Sequence, residues 1–493
     1  MSDTRPSTIL ERLPTGITGL DTVLGGGLPS RRTCLIAGAP GTGKTTLGNQ
    51  LAFTHASAGG RVIVATLLSE SHDVLIENLS GFSFFDRDLL GDRLRYLNVL
   101  TPLLETGLDA TLDVISQEVR RLGATLVVID GTAVIGDFAT SAFDLRHFLQ
   151  RLEGQFSLLG CTTVLLTSAL DGELQLLSGQ VNGAFLLRND LVGSRHVRSL
   201  EVMKMRGVRH AGGCHDFVIS NDGIELFPRL ESIVGAIRPS KRTTHGIGTG
   251  IVTLDTMLGG GLMPLSSTLV LGTPGAGKTI LGLSFLAEGA NRDEDGLMVG
   301  FSESLEDLEL TARGIGLEIG EHLRSGRIRV IWNPPLELSA DGWAWQVLNA
   351  VEKYRPRRVV IDAVTDVQRI MTSPQRITAF VPALMNELRA RGATTLVVAE
   401  IDAYTDEVLE VPVPAVSAST DNGILLRHVE VQGRLRRLVS VLKVRQAFTD
   451  PAIREMEITD QGIVISRPFA AVSGLLTGRA EPDPVDGAGD GAP

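Results

Sequence analysis

The chain has 493 residues, which is long enough for two or three domains that each bury a core of their own. Its formal net charge of −11 gives no overall attraction to nucleic acid or to an anionic membrane, and its three cysteines form neither a CxxC motif nor a disulfide framework. No stretch of eighteen apolar residues occurs, and the start, MSDTRPSTILER, lacks the features of a signal peptide, so we expect a cytoplasmic protein without a membrane partner.

A duplicated segment organises the chain. Residues 15–28 read TGITGLDTVLGGGL and residues 249–262 read TGIVTLDTMLGGGL, with 11 of 14 positions identical at an offset of 234. The likeness continues through LIAGAPGTGKTTLGNQLA and LVLGTPGAGKTILGLSFLA, and then through LVVID and RVVID. Self-similarity in this order predicts two copies of one domain.

Short apolar runs rich in β-branched residues alternate with helical stretches in each copy. In chain order the predicted strands lie near residues 34–37, 61–66, 126–129 and 163–167, and then near 268–271, 297–301, 358–361 and 395–399. This alternation predicts an α/β fold in which helices flank a mostly parallel, buried sheet. We expect a first domain over residues 1–235, a second over 236–478, and a disordered acidic tail over 479–493.

Each copy carries the pattern GxxxxGK[ST] between an apolar strand and a helical run, as GAPGTGKT at residues 38–45 and GTPGAGKT at residues 272–279. Glycines let the backbone turn tightly and aim N–H groups at phosphate oxygens, and the following helix adds its positive end. The pattern predicts two ATP sites. The predicted nucleotide-binding residues are Gly38, Pro40, Gly41, Thr42, Gly43, Lys44, Thr45 and Thr46, and then Gly272, Pro274, Gly275, Ala276, Gly277, Lys278, Thr279 and Ile280.

An aspartate ends a later apolar strand in each copy, Asp130 in LVVID and Asp362 in RVVID. In P-loop proteins a carboxylate at this place holds magnesium, and the last residue of the loop supplies a hydroxyl oxygen to the same ion. We therefore predict Mg²⁺ as a second cofactor, held by Thr45 and Asp130 in the first copy and by Thr279 and Asp362 in the second.

A glutamate follows the second strand of each copy, Glu70 in LSES and Glu303 in FSES. A carboxylate at this place could orient or deprotonate the water that attacks the γ-phosphate. The alternative interpretation is an acid at a helix N-terminus behind a serine cap.

Lysine is scarce, with six among 46 basic residues, so a retained lysine is a candidate for a special role. Lys204 and Arg206 in VMKMRG, and Lys443 and Arg445 in VLKVRQ, lie on alternating, strand-like sequence that places each pair on one face. Each pair lies far downstream of its own P-loop, so we predict contact with the γ-phosphate of a neighbouring subunit, as an arginine finger makes. A solvated basic hairpin is the alternative.

With these motifs the chain resembles the KaiC family of RecA-like ATPases, from about residue 10 to residue 478. The stretch ILLRHVEVQGRLRRLVSVLKVR, followed by DPAIREMEI, is similar to the second domain of the family's clock members. The resemblance implies two tandem RecA-like domains, a homohexamer with ATP at the subunit interfaces, slow hydrolysis in the first ring, and autokinase and phosphatase activity in the second.

The chain departs from the family pattern after the second strand of each copy. The family carries two adjacent glutamates there, and the first is usually assigned as the base. Here Ser69 precedes Glu70 and Ser302 precedes Glu303, so only the second glutamate remains in each copy. The departure leaves open a slower or differently organised hydrolysis.

The chain also departs at the family's phosphorylated serine–threonine pair. Ser417 and Ala418 stand in its place, which makes Ser417 the candidate site of serine autophosphorylation. A loop of small turn residues is the alternative. The tail is unlike that of the clock proteins, so the resemblance does not identify a regulatory protein partner.

Three functions follow from these features. The first is a hexameric ATPase with protein serine/threonine autokinase activity, acting in signalling or timing. The second is an ATP-dependent DNA-processing protein like RadA or DnaB. Such proteins place DNA-binding loops at the positions of residues 168–187 and 400–426, and here these segments contain no lysine or arginine. A nucleic-acid partner is therefore not expected. The third is a regulatory scaffold that assembles with ATP and turns over little.

Overall fold

A computed structural model describes residues 11–67, 71–168, 171–234, 246–334, 339–401, 417, 419–431, 434–445, 450–469, 472–473 and 481–482. The chain divides into two compact units, Met1–Ile233 and Val234–Pro493. Each unit contains one large sheet with helices packed against it, which confirms the predicted α/β fold. No helix in these described ranges is long and apolar enough to cross a bilayer.

The elements of the first unit alternate along the chain. Its strands are β1 (Arg12–Leu13), β2 (Leu28–Pro29), β3 (Thr33–Gly38), β4 (Val62–Thr66), β5 (Leu94–Asn98), β6 (Leu126–Asp130), β7 (Thr162–Thr167), β8 (Gly183–Val192), β9 (Arg195–Met205), β10 (Cys214–Ser220) and β11 (Gly223–Phe227). Its helices are α1 (Thr18–Leu24), α2 (Lys44–Ser57), α3 (His72–Leu79), α4 (Leu100–Leu122), α5 (Ala133–Phe138), α6 (Ala142–Leu158), α7 (Asp171–Gln180) and α8 (Leu230–Ile233), with a 3₁₀ turn at Arg87–Leu89.

The second unit repeats this alternation. Its strands are β12 (Ser267–Gly272), β13 (Gly296–Gly300), β14 (Ile328–Trp332), β15 (Arg358–Asp362), β16 (Thr394–Glu400), β17 (Asn422–Val431), β18 (Arg434–Val444), β19 (Arg454–Thr459), β20 (Gly462–Pro468), β21 (Val472–Ser473) and β22 (Glu481–Pro482). Its helices are α9 (Val252–Met257), α10 (Lys278–Ala290), α11 (Leu305–Gly314), α12 (Gly320–Arg324), α13 (Ala340–Tyr354), α14 (Val364–Arg369) and α15 (Ile377–Ala390), with a 3₁₀ turn at Pro374–Arg376.

The two large sheets have the same strand order. The first runs β5-β4-β6-β7-β3-β8-β9-β10-β11, and the second runs β14-β13-β15-β16-β12-β17-β18-β19-β20. The first six strands of each order are parallel, and the last three continue as an antiparallel meander. All eight strands predicted from apolar runs are present. The edge strands β5 and β14 were not predicted.

The central strands form the core of each unit. Every residue of β3, β6, β7 and β12 is buried. Parallel strands covered by helices on both faces have no solvent side, which explains why they read as continuous apolar runs rather than as alternating ones. The carboxyl ends of these strands meet at one edge of each sheet, and the loops at that edge carry the predicted ATP and magnesium sites.

One buried cation stabilises the second unit. Arg358 begins β15 with 1% of its surface exposed. Its guanidinium donates to a Glu294 carboxylate oxygen at 2.7 Å and to the carbonyl oxygens of Gly248 and Phe285 at 2.7 and 2.8 Å. Buried charge is tolerated when it is paired and hydrogen-bonded in this way.

The predicted acidic tail falls mostly outside the described residues. Within it, Glu481 and Pro482 form a short antiparallel ladder with Val472 and Ser473, and disorder of the tail stays a prediction.

Candidate functional site

Each phosphate-binding loop connects the central strand of a sheet to the helix that follows. Residues 38–45 join β3 to α2, and residues 272–279 join β12 to α10. Gly43 and Gly277 precede the helices with φ of 101° and 102°, a left-handed conformation that glycine adopts at little steric cost. The first-turn N–H groups of a helix lack intrahelical partners, so each loop has the geometry of an anion site.

The loop lysines fold back over the loops. The ammonium of Lys44 donates to the carbonyl oxygens of Gly38 and Ala39 at 2.7 and 2.9 Å, and that of Lys278 donates to the carbonyl oxygen of Thr273 at 2.8 Å. Burial is the main cause that lowers the pKa of both lysines, and nearby carboxylates act against it. Phosphate oxygens bound in the loops would replace these carbonyl oxygens and give each ammonium a negatively charged partner.

The strand-end aspartates contact the loop threonines in both units. The Thr45 hydroxyl donates to Asp130 Oδ2 at 2.8 Å, and the Thr279 hydroxyl donates to Asp362 Oδ2 at 2.6 Å. Hydroxyl and carboxylate oxygens suit Mg²⁺, which prefers oxygen ligands and usually shares them with substrate phosphates. Both groups therefore fit the predicted cofactor.

A cavity of about 230 Å³ opens beside the second loop. Lys278 and Thr279 lie on its loop side, and the acidic lining comes from the ends of β15 and β16, the segment after β13 and helix α14. The carboxylates that line it are Glu303, Asp362, Asp366 and Glu400. Burial raises the pKa of Asp362, while the hydrogen bond from Thr279 and the charge of Lys278 act against that rise. The cavity thus combines the loop ammonium with an excess of negative charge.

Glu303 lies in this cavity with its Oε2 atom buried and without a hydrogen-bond partner. Burial and the negative charges of Asp362 and Asp307 raise the pKa of Glu303. Ser304 caps α11, so Glu303 precedes the cap and is not part of the first helical turn. This position disfavours the helix-terminus alternative for Glu303. Its counterpart Glu70 lies outside the described residues, and the roles of both remain predictions.

The lysine of the first cation pair lies away from the P-loop of its own unit. Lys204 pairs with Ala184 in β8, and Ala184 lies opposite Leu35, three residues before the loop begins at Gly38. The Lys204 ammonium donates to the carbonyl oxygen of Ser178 at 2.8 Å. Because β3 points its carboxyl end at the loop, Lys204 lies toward the opposite end of the sheet.

Lys443 repeats this arrangement in the second unit. It pairs with Gly423, which lies opposite Leu269 of β12. Its ammonium donates to the carbonyl oxygens of Ser417 and Thr420 at 3.0 and 2.7 Å. Ser417, the candidate phosphosite, is half-buried. The second cation pair and Ser417 therefore share one end of the sheet, away from the loop of the same unit.

The two arginines of the pairs follow the ends of β9 and β18. Arg206 donates to the carbonyl oxygen of Gly179 at 3.4 Å, and Arg445 lies 3.8 Å from an Asp421 carboxylate oxygen. Each arginine thus lies beside the lysine of its pair, as the strand pattern predicted. Contact with a second subunit stays a prediction.

Sequence reasoning missed two residues at the second loop. Glu400 ends β16 directly opposite Gly272. It follows an apolar strand as Asp362 does, so the same rule could have found it. His428 in β17 shares a hydrogen bond with the Thr273 hydroxyl, with 3.2 Å between Nδ1 and Oγ1. No local sequence pattern identifies His428, because it lies 155 residues away along the chain from the Thr273 that it contacts.

A mostly parallel sheet with a P-loop after its central strand, and a strand-end aspartate on the loop threonine, defines a RecA-like P-loop ATPase domain, here present twice. The family model of the KaiC ATPase matches residues 13–231 and again residues 247–469. The chain belongs to the KaiC family, and the resemblance drawn from the motifs is confirmed.

Similar proteins cover the chain almost from end to end. They include the circadian clock oscillator protein KaiC of Picosynechococcus sp., 28% identical over 488 residues that make up 95% of this chain and 92% of that protein. The KaiC of Thermostichus vulcanus is 28% identical over 96% of this chain and 92% of its own length. The circadian clock protein KaiC3 of Synechocystis sp. is 28% identical over 95% of this chain and 94% of its own length.

Proposed function

We propose that the protein hydrolyses ATP at both P-loops within a homohexamer, with each ATP bound between two subunits. The observation that carries the proposal is the contact between a loop threonine and a strand-end aspartate in both units, because these oxygens would suit the core of a magnesium–nucleotide site. Membership of an ATPase family supports the activity.

The residues of one subunit bind and orient the nucleotide. The loop N–H groups and the helix N-termini hold the phosphates, and Lys44 and Lys278 exchange their carbonyl contacts for phosphate oxygens. Thr45 with Asp130, and Thr279 with Asp362, would hold Mg²⁺, which when bound neutralises charge on the β- and γ-phosphates. The chain thereby fixes the γ-phosphate for attack by water.

The residues of a neighbouring subunit complete each site. Lys204 and Arg206 would approach the first P-loop of the neighbour, and Lys443 and Arg445 the second. The register of Lys204 and Lys443 places these lysines away from the loop of their own unit, which favours action across an interface. Cations at this place stabilise the charge that develops on the transferred phosphoryl group.

The proposal is tested by phosphate release and native mass, each with and without ATP. Lys44→Ala combined with Lys278→Ala should reduce turnover to background, whereas Lys353→Ala, at an exposed lysine of α13, should leave it unchanged. Native turnover in the double variant would refute hydrolysis at the P-loops. ATP-driven assembly of the native protein without phosphate release would instead support a regulatory scaffold.

We further propose that Ser417 is autophosphorylated across the same interface. Its carbonyl oxygen accepts a hydrogen bond from Lys443, so a neighbour's γ-phosphate that meets Lys443 would also lie near Ser417. Incubation with ATP followed by phosphosite mapping should find phosphate on Ser417. The signal should vanish in Ser417→Ala and persist in Ser419→Ala, and an unmodified Ser417 in protein that turns over ATP would refute the autokinase.

The similar proteins are named circadian clock proteins, and we propose that this chain acts in signalling or timing with an unknown protein partner. A time course of Ser417 phosphorylation after ATP addition tests this role. A level that never changes with time or nucleotide would argue against a signal carried by this residue.

A further inference from the structure

The two P-loop sites differ at one strand end. In the second unit, Glu400 lies in register with Gly272, the first glycine of the loop. In the first unit, Thr167 lies in register with Ala37, so the next residue, Ser168, occupies the position that Glu400 takes in the second. A carboxylate therefore stands beside one loop, and an exposed hydroxyl stands beside the other.

Glu400 lies in the cavity beside the second phosphate-binding loop. It lines the cavity together with Lys278, Thr279 and Asp362. Its charge acts on the loop ammonium, since it is the largest of the influences that raise the pKa of Lys278 against burial. Among the described residues, its carboxylate makes no ion pair within 4.0 Å, and its side chain is exposed, so both oxygens can accept a hydrogen bond from water.

The second unit has a reason to use this carboxylate. The other carboxylate placed to act as a base, Glu303, is half-buried beside Asp362, and the residue before it, Ser302, carries no carboxylate. Glu400 approaches the loop from a different strand end and keeps its contact with solvent.

We propose that Glu400 is a further catalytic residue of the second site and that it accepts the proton of the attacking water. The water O–H bond breaks as the proton passes to a Glu400 oxygen, and the water oxygen forms a bond to the γ-phosphorus of ATP. The bond between the γ-phosphorus and its bridging oxygen breaks, and its electron pair leaves with ADP. The first site has only Ser168 here, so the two sites reach the same products with different proton acceptors.

This proposal rests on the proposed ATP hydrolysis. It is tested in protein carrying Lys44→Ala, in which only the second site turns over. Glu400→Gln should lower kcat for ADP formation about 100-fold, because a general base contributes about that much or more. The Kd for ATP should stay unchanged or fall, because a negative charge next to the phosphates has been removed. Nucleotide extracted from the Gln variant after incubation should be mostly ATP.

Two variants serve as controls. Glu352→Gln, at an exposed carboxylate that pairs with Arg391, should keep the rate of the Lys44→Ala protein. Glu400→Asp, which keeps the charge and shortens the side chain, should recover part of the rate lost in Glu400→Gln. If Glu400 only repels the phosphates, Glu400→Gln should change the Kd for ATP and leave kcat unchanged.

The outcomes separate the two proposals. If Lys44→Ala combined with Lys278→Ala keeps native turnover, the proposed hydrolysis fails and Glu400 fails with it. If that double variant is silent but Glu400→Gln keeps kcat within about twofold, or changes only Kd, the role of Glu400 alone is overturned. Lys44→Ala protein that binds ATP at the second site and forms no ADP would overturn both the proposed hydrolysis at that site and the role of Glu400.

Discussion

The sharpest test of catalysis across an interface mixes two inactive proteins. The first carries Lys44→Ala, which disables the first P-loop, and the second carries Lys204→Ala with Arg206→Ala, which removes the first cation pair. Both also carry Lys278→Ala, so that only the first site is measured. Lys204 lies in register three residues before the loop, a distance of about 10 Å along the strand, so it is poorly placed to reach a γ-phosphate in its own unit.

The expected recovery of phosphate release follows from the fraction of subunit interfaces that are complete. Each protein alone should lose at least about 1,000-fold in rate, the lower range for removal of an arginine finger. In an equal mixture, a working interface needs an intact loop from one subunit and intact cations from the next. Random assembly gives one half times one half, so phosphate release should recover to about a quarter of that of the Lys278→Ala parent.

The assay is steady-state phosphate release after the proteins are separated into subunits, mixed and reassembled with ATP. A third protein that carries Lys44→Ala, Lys204→Ala and Arg206→Ala together supplies the control, because mixing it with the Lys44→Ala protein restores no intact loop. Turnover in the test mixture that never exceeds the sum of its two components would refute action across the interface.

Two further predictions concern stability. Burial raises the pKa of Asp362 in the folded state, so its ionised form costs stability above the ordinary carboxyl pKa. Asp362→Asn, which keeps an acceptor for Thr279, should therefore raise the thermal midpoint without nucleotide by a few degrees at neutral pH. This gain should shrink as the pH falls toward the ordinary carboxyl pKa. An unchanged or lower midpoint would contradict this. Arg358→Met should lower the denaturant-measured stability of the second unit by about 3 kcal/mol, because Glu294 loses its buried partner. The exposed Arg357→Met should cost less than about 1 kcal/mol, and equal costs for the two would contradict the reasoning.

Much of the fold could be predicted because the two copies of the domain can be compared with each other. The P-loops, and the aspartates that end LVVID and RVVID, occur at matching places in both copies, and each pattern depends on only a few neighbouring residues. Strands buried on both faces are continuous apolar runs, so β3 and β12 were recognised within one residue at each end. At these elements the motif residues and the apolar pattern predict the same structure.

The missed features depend on contacts between distant segments. The edge strands β5 and β14 each have a single fully buried residue, so they lack the apolar run that marks a central strand. His428 reaches the second loop only because β17 pairs with β12. Glu400 ends an apolar strand as Asp362 does, but its place beside Gly272 depends on the pairing of β16 with β12, which are distant in the chain.

The opposite placement of loop and cations makes the proposed contact between subunits head-to-tail. Such a contact joins two different surfaces, so it either closes after a fixed number of copies or continues as an open filament. An open assembly would always leave one loop without cations and one cation pair without a loop. A single newly made chain would likewise hold ATP without consuming it, and dilution alone would silence the protein. ATP consumption per chain should therefore rise with protein concentration and level off once closure is complete.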